Sequence, residues 1–302
     1  MRLLVFGRFS PTADPTLLAV VAVARARGHT VYLADIAAFV TGPVQWSPAS
    51  GRLVLGALDI GPDDVDVVLL GPLPSAFART SPPGVSLTSD EHDRRTKIQA
   101  ARHQLAWSIV VDFEARGIAV LSSPTRARPF DHKPLQLATL SRAGVRVPAT
   151  VVADVDVVVA AVQLTKPVLG GAVDFDVVNR AVAGEPRFVQ QVVAGRQLRV
   201  ACVGGVVVAV GAVDVAGDWR GGDAPFVAVD VDVDDRLRQL AATVFAVCAF
   251  DVAALDVIDS DDGLVLLEAN RTPQLLDLAV DVGIDLAGAI VDRCVSSARR
   301  RS

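Results

Sequence analysis

Apolar positions along the chain follow two periods, and glycine, proline and aspartate mark where one gives way to the other. Leu3–Gly7 is a continuous apolar run that predicts a buried strand. The loop SPTADP follows, and then a helix to Arg27 with Asp14 as N-cap and Pro15 at its first position. Gly28 ends that helix and His29–Ala34 predicts a second strand, giving a βαβ unit and hence a parallel sheet. Trp46–Leu55 reads as a hairpin around Pro48-Ala49-Ser50-Gly51, while Val65–Leu70 and Ile118–Leu121 supply two further core strands. Between them, residues 74–89 predict an irregular Ser/Pro/Thr loop, and Ser89 or Asp90 caps a long helix to Arg116. Its Arg94, Arg95, Lys97 and Arg102 read either as a solvated face or as a basic face toward an acidic ligand.

The second half changes character. A helix over Asp131–Ala143 stops at Gly144, and strands are predicted at Leu164–Val168, which carries Lys166, and at Arg187–Val193. Leu198–Val203 and Val206–Val213 form a hairpin around Gly204-Gly205, followed by a glycine-rich loop over residues 216–226. A helix from Asp234 to Phe250 precedes an acidic hairpin, and a last helix spans Leu286–Ala298 behind Asp285. In the acidic hairpin, Leu255–Ile258 and Leu264–Ala269 flank a loop Asp259–Gly263. That pairing sets Asp256 opposite Leu266 and places Asp256 and Glu268 as diagonal neighbours on one face, with Asn270 beside them. Two carboxylates and a carboxamide are an oxygen-only set, suited to a hard cation such as Mg²⁺ and not to zinc. The alternative is an edge hairpin whose acidic residues are simply hydrated.

Composition narrows the field. The 302 residues suffice for two or three packed lobes, and a net charge of −5 leaves no nucleic-acid footprint. No apolar run of spanning length is free of charges, and the N-terminus reads as a strand, so no membrane partner is expected. Cys202, Cys248 and Cys294 are scattered among apolar neighbours without metal spacing, the pattern of buried free thiols in a cytoplasmic protein.

Seven stretches then fall in a telling order: SSP at Ser122–Pro124, DHKPLQL at Asp131–Leu137, AGVRVPAT at Ala143–Thr150, TKP at Thr165–Pro167, FVQQVVAGRQLRV at Phe188–Val200, ALDVI at Ala254–Ile258 and LLEANRTP at Leu266–Pro273. In that order they resemble the ATP-grasp ligases, in the branch of bacterial glutathione synthetase, the ribosomal-protein glutamate ligases and the ligases that crosslink ribosomal peptides. The resemblance implies an α/β (α+β) protein in three parts. A parallel-sheet substrate-side domain (1–124) precedes an abbreviated central lid subdomain (125–193) and a C-terminal subdomain (194–302) holding the metal and phosphate site.

It also implies roles for named residues. Lys133 and Lys166 face the ATP phosphates, and Gln190, Gln191, Val192 and Val193 form the hinge that reads adenine through backbone groups. Gln197 stands near the ribose, where many members carry an acid, and Arg199 holds the transferred phosphate. Asp256, Glu268 and Asn270 become ligands for Mg²⁺, two ions being implied and Mn²⁺ a substitute. The implied function is a carboxylate–amine ligase that forms an amide through an acyl phosphate on an amino acid or peptide, with a homodimer an open arrangement. A non-catalytic nucleotide-binding module of the same fold is the alternative. The lid departs from the family pattern: only Gly170-Gly171-Ala172 follows Lys166, and Gln190 comes 24 positions after it.

Overall fold

The computed structural model describes residues 1–9, 14–71, 88–154, 186–213, 225–229, 235–271 and 275–299, with 163–167 and 213 described by backbone alone. They form two compact units, Met1–Thr125 with Ala287–Ser302, and Arg126–Leu286.

In the first unit, β1 (Arg2–Gly7) leads into α1 (Pro15–Ala26), β2 (Thr30–Asp35) and the short α2 (Ile36–Thr41). A small antiparallel sheet, β3 (Val44–Trp46), β4 (Leu53–Leu55) and β5 (Leu58–Ile60), comes next, then β6 (Val67–Leu70), α3 (Ser89–Ala115) and β7 (Ala119–Leu121). The main sheet runs β2-β1-β6-β7, parallel throughout. Leu3, Leu4, Val5 and Phe6 are all buried, so β1 is covered on both faces, as its unbroken apolar run requires.

Helix α1 begins as expected: the Asp14 side chain accepts from the backbone N–H of Thr16 (2.9 Å) and Leu17 (3.2 Å) ahead of Pro15. Its Leu17, Val20, Val21 and Ala24 are the buried stripe. One expectation changes. Thr88, not Ser89 or Asp90, caps α3, accepting from Glu91 N–H. The basic stretch of α3 is tied to its own unit: Arg94 and Arg95 pair with Glu91, and Arg102 donates to the carbonyls of Phe39 and Gly42, at the end of α2.

The second unit opens with a single turn, α4 (Pro124–Ala127), shared across the boundary, and with α5 (Lys133–Arg142). Strands β8 (Thr150–Ala153), β9 (Gln163–Pro167) and β10 (Arg187–Gln191) make an antiparallel sheet in the order β8-β10-β9. A larger antiparallel sheet combines β11 (Arg196–Val203), β12 (Val206–Val213) and β13 (Val227–Ala228) with β14 (Val252–Ser260) and β15 (Gly263–Asn270). Its order is β13-β12-β11-β14-β15. Gly204 and Gly205, at φ 61° and 83°, close the β11–β12 turn in a conformation that only glycine adopts without strain at two successive positions.

Helix α6 (Asp235–Cys248) covers one face of this sheet. Leu237, Leu240, Ala241, Val244 and Cys248 pack in one cluster with Leu198, Val200, Val210, Leu255, Val257, Leu266 and Ala269. The opposite face carries the polar residues described next. The chain ends with α7 (Leu276–Asp281) and α8 (Leu286–Arg299); from Ala287 onward α8 belongs to the first unit, where Arg27 pairs with Asp292 at 2.8 Å. Among the described residues, no helix is long and apolar enough to cross a membrane.

Candidate active site

A β-bulge brings the acidic residues together. Near the turn Ser260 pairs with Gly263, Asp259 with Leu264, Ile258 with Val265 and Val257 with Leu266. Continued, that register sets Asp256 opposite Leu267 and turns Glu268 toward α6. Instead Asp256 pairs with Glu268, Leu255 with Ala269 and Ala254 with Asn270, so Leu267 is an extra residue on β15. The sequence reading is corrected here. The strands run closer to the turn than a loop of Asp259–Gly263 allows, and the two carboxylates are direct cross-strand partners, not diagonal ones.

Magnitudes explain the bulge. Losing one ladder hydrogen bond costs about 1 kcal/mol. Turning Glu268 into the apolar α6 face would leave a carboxylate buried without a partner, at about 3–5 kcal/mol.

The bulge completes a transverse row. Gly211 of β12 faces Arg199 of β11, Arg199 faces Asp256 of β14, and Asp256 faces Glu268 of β15. Arg199 donates to Asp256 Oδ1 at 2.5 Å, with side chains 8% and 14% exposed. Glu268 Oε2 accepts from Lys133 Nζ at 2.6 Å, and its Oε1 accepts from Asn270 Nδ2 at 2.9 Å. Lys133 reaches Glu268 as the first residue of α5. Burial pushes the Asp256 carboxyl up to about 6; Arg199 pulls it down and Glu268 pushes it up. Two carboxylates and two cations thus face one another in a largely dehydrated patch whose formal charges cancel.

The start of α5 grips β15 at further points that the sequence reading did not single out. Gln136, 2% exposed, donates from Nε2 to the carbonyl of Ala269 (2.8 Å), and its Oε1 accepts the Ala269 N–H (2.9 Å). Asp131 accepts two bonds from Arg271, at 2.6 and 2.8 Å. Gln136 lies inside DHKPLQL and Arg271 inside LLEANRTP, but only the fold shows that these two stretches touch.

Five of the residues singled out in the sequence therefore meet: Lys133, Arg199, Asp256, Glu268 and Asn270. Gln197 lies two residues from Arg199 on the same strand, opposite Ile258 and Val213. Gln190 is buried and donates to Thr150 Oγ1 at 3.1 Å, while the Gln191 N–H donates to Ala149 O; β10 ends at Gln191, so Val192 and Val193 lie in the connection to β11. Lys166 sits opposite Phe188 in the β9–β10 register, and its side chain lies outside the described residues, as do Gly170-Gly171-Ala172.

The donor set fits a divalent hard cation only in part. Among the described residues, no group of three or more His, Cys, Asp and Glu side chains is placed to hold a metal. Asp256, Glu268 and Asn270 offer oxygens from two carboxylates and one amide, the sort of incomplete set that Mg²⁺ accepts when phosphate oxygens and water supply the rest.

Comparison with known proteins bears on the fold that carries these residues. Residues 176–294 match the family model of the RimK-like ATP-grasp domain. The structure resembles the ATP-grasp ligase PsnB complexed with minimal precursor, Mg and ADP (TM-score 0.75, 20% identity, 98% of this chain and 97% of that one). This is an ATP-grasp fold. The ATP-grasp likeness extends to the macrocyclase MdnC from Microcystis aeruginosa MRC, bound with precursor peptide MdnA (TM-score 0.72, 16% identity, 98% and 100% covered). In sequence, the chain is 35% identical over 103 residues to a probable alpha-L-glutamate ligase of Parasynechococcus marenigrum (32% of this chain, 21% of the relative). It is 37% identical over 112 residues to one of Xanthomonas oryzae pv. oryzae (35% and 37%). The chain thus spans well under half the length of these curated relatives.

Proposed function

We propose that the protein is an ADP-forming ligase that uses ATP to activate a carboxylate and then joins it to an amine, with a peptide as substrate. The observation that carries this is the charge pattern of the row. Lys133 and Arg199 suit anionic phosphate oxygens, and Asp256, Glu268 and Asn270 suit a cation. A ligand of one sign satisfies half of that pattern, whereas a nucleotide polyphosphate with its bound Mg²⁺ presents both signs together.

In this reading Asp256, Glu268 and Asn270 would hold Mg²⁺, or Mn²⁺ in its place. Bound there, the ion would supply positive charge against the polyphosphate. Lys133 exchanges its bond to Glu268 for phosphate oxygens, and Lys166, carried on β9, is assigned to the same phosphates. The Arg199 guanidinium, planar and spreading its charge, stabilises the transferred phosphoryl group and then the oxyanion of the acyl phosphate. The backbone of the Gln190–Val193 stretch reads adenine and Gln197 bonds the ribose. An amine then displaces phosphate and an amide forms. No protein nucleophile is required, because positioned charges carry the chemistry.

Support for a peptide substrate comes from the neighbours of the same fold, which hold precursor peptides. The test is to incubate the protein with ATP, Mg²⁺ and peptides rich in Asp, Glu and Lys, following ADP release and intact mass. ADP release with loss of one water mass per bond formed is expected. Mass gain with free glutamate alone would reassign the substrate to an amino acid. Nucleotide binding without ADP release for either substrate would favour a regulatory module.

A further inference from the structure

We propose that Gln136 is a positioning residue for the metal ligands, acting through the backbone of Ala269; this rests on the nucleotide–metal reading above. Ala269 lies between Glu268 and Asn270, so what fixes its peptide groups fixes the directions in which both side chains leave the strand. Strand β15 is an edge of its sheet, and beyond the bulge its ladder to β14 is three residues long: Glu268, Ala269 and Asn270. On such an edge, alternate residues turn their N–H and C=O away from the partner strand. At Ala269 both groups are taken by one side chain, the Gln136 amide, at 2.9 and 2.8 Å.

Gln136 thus supplies the two hydrogen bonds that a further strand would have made. Its own place is fixed as well, since Nε2 also donates to Phe130 O at 2.9 Å and the residue is buried on α5. The chemistry is specific to glutamine. An ionised glutamate has no donor for the Ala269 carbonyl, asparagine is one methylene short, and methionine fills the space with no hydrogen bond. Because Leu267 is an unpaired bulge residue directly before this segment, the ladder alone leaves Glu268 free to tilt; the amide removes that freedom.

The test uses Gln136→Met in the full chain, with Mn²⁺ titrated in the presence of ADP and followed by electron paramagnetic resonance. The Mn²⁺ dissociation constant is expected to rise about 10–100-fold, the usual consequence of losing a group that orients a metal ligand. A folded variant with the wild-type constant overturns the proposal, even with a lowered Tm, since that is what a merely structural contact gives. Should the variant not fold, residue-resolved hydrogen exchange on the wild-type protein decides. Protection of the Ala269 amide at the level of Glu268 and Asn270 supports the clamp, and exchange at the rate of a free edge amide overturns it. If the wild-type protein binds no Mn²⁺ with ADP, the nucleotide reading falls and this proposal with it. If wild type and variant bind equally, this proposal falls alone.

Discussion

Replacing Arg199 with methionine tests the row by removing one cation and leaving its shape. Methionine is unbranched and fills most of the arginine stem's volume, so packing in β11 is preserved. What disappears is the donor to Asp256 at 2.5 Å, in a pair whose side chains are 8% and 14% exposed. At that depth solvent screens little, and Asp256 is left facing Glu268 with no cation of its own. Breaking a buried pair from one side costs about 3–5 kcal/mol, whereas an exposed pair contributes about 0–1 kcal/mol. The unit Arg126–Leu286 should therefore lose about 3–5 kcal/mol in urea denaturation at neutral pH, a large share of the stability of an ordinary domain. The double variant Arg199→Met/Asp256→Leu, which removes both charges, should recover most of that loss. An Arg199→Met protein within 1 kcal/mol of wild type, or a double variant weaker than the single one, would refute the reasoning.

Two further expectations follow from packing and burial. A Cβ on Gly211, the row's fourth residue, would lie 2.4 Å from Leu278 Cδ1 and 2.8 Å from Phe226 Cβ, so Gly211→Ala should destabilise by about 1–3 kcal/mol in thermal unfolding. Burial pushes the Cys202 and Cys248 thiols up to about 12, so at pH 8 both stay protonated. With Cys294 also buried, none should react with a thiol reagent until urea is added.

Much of the fold could be read from local signals: the Asp14 cap, the unbroken apolar run of β1, and the Gly204-Gly205 turn each depend on a few adjacent residues. The site was legible as a set of residue types, and the structure brings Arg199, Lys133, Asp256, Glu268 and Asn270 into contact. How they meet was not legible. A bulge at Leu267 leaves no trace in hydrophobic alternation, because its cause is tertiary: one register offers Glu268 a lysine and an amide, the other an apolar core. Gln136 was hidden for the same reason, since a glutamine on a helix reads as solvent-facing until a strand edge is placed beside it. In α3, Arg94 and Lys97 are exposed, as a solvated face requires, and Arg102 is the exception. Arg102 reads as surface charge, yet it closes the carbonyl end of α2, a partner about sixty residues away in sequence.

Glu268→Gln tests the central claim most directly. The change keeps the side chain's size and its place between Lys133 and Asn270, and removes the charge proposed to hold the metal ion. ADP release from Mg·ATP, measured with the substrate that supports turnover by the wild-type protein, should fall at least about a hundredfold, the scale of losing one electrostatic stabiliser of a developing charge. Circular dichroism should show the fold intact. Wild-type ADP release by a folded Glu268→Gln protein would contradict the account.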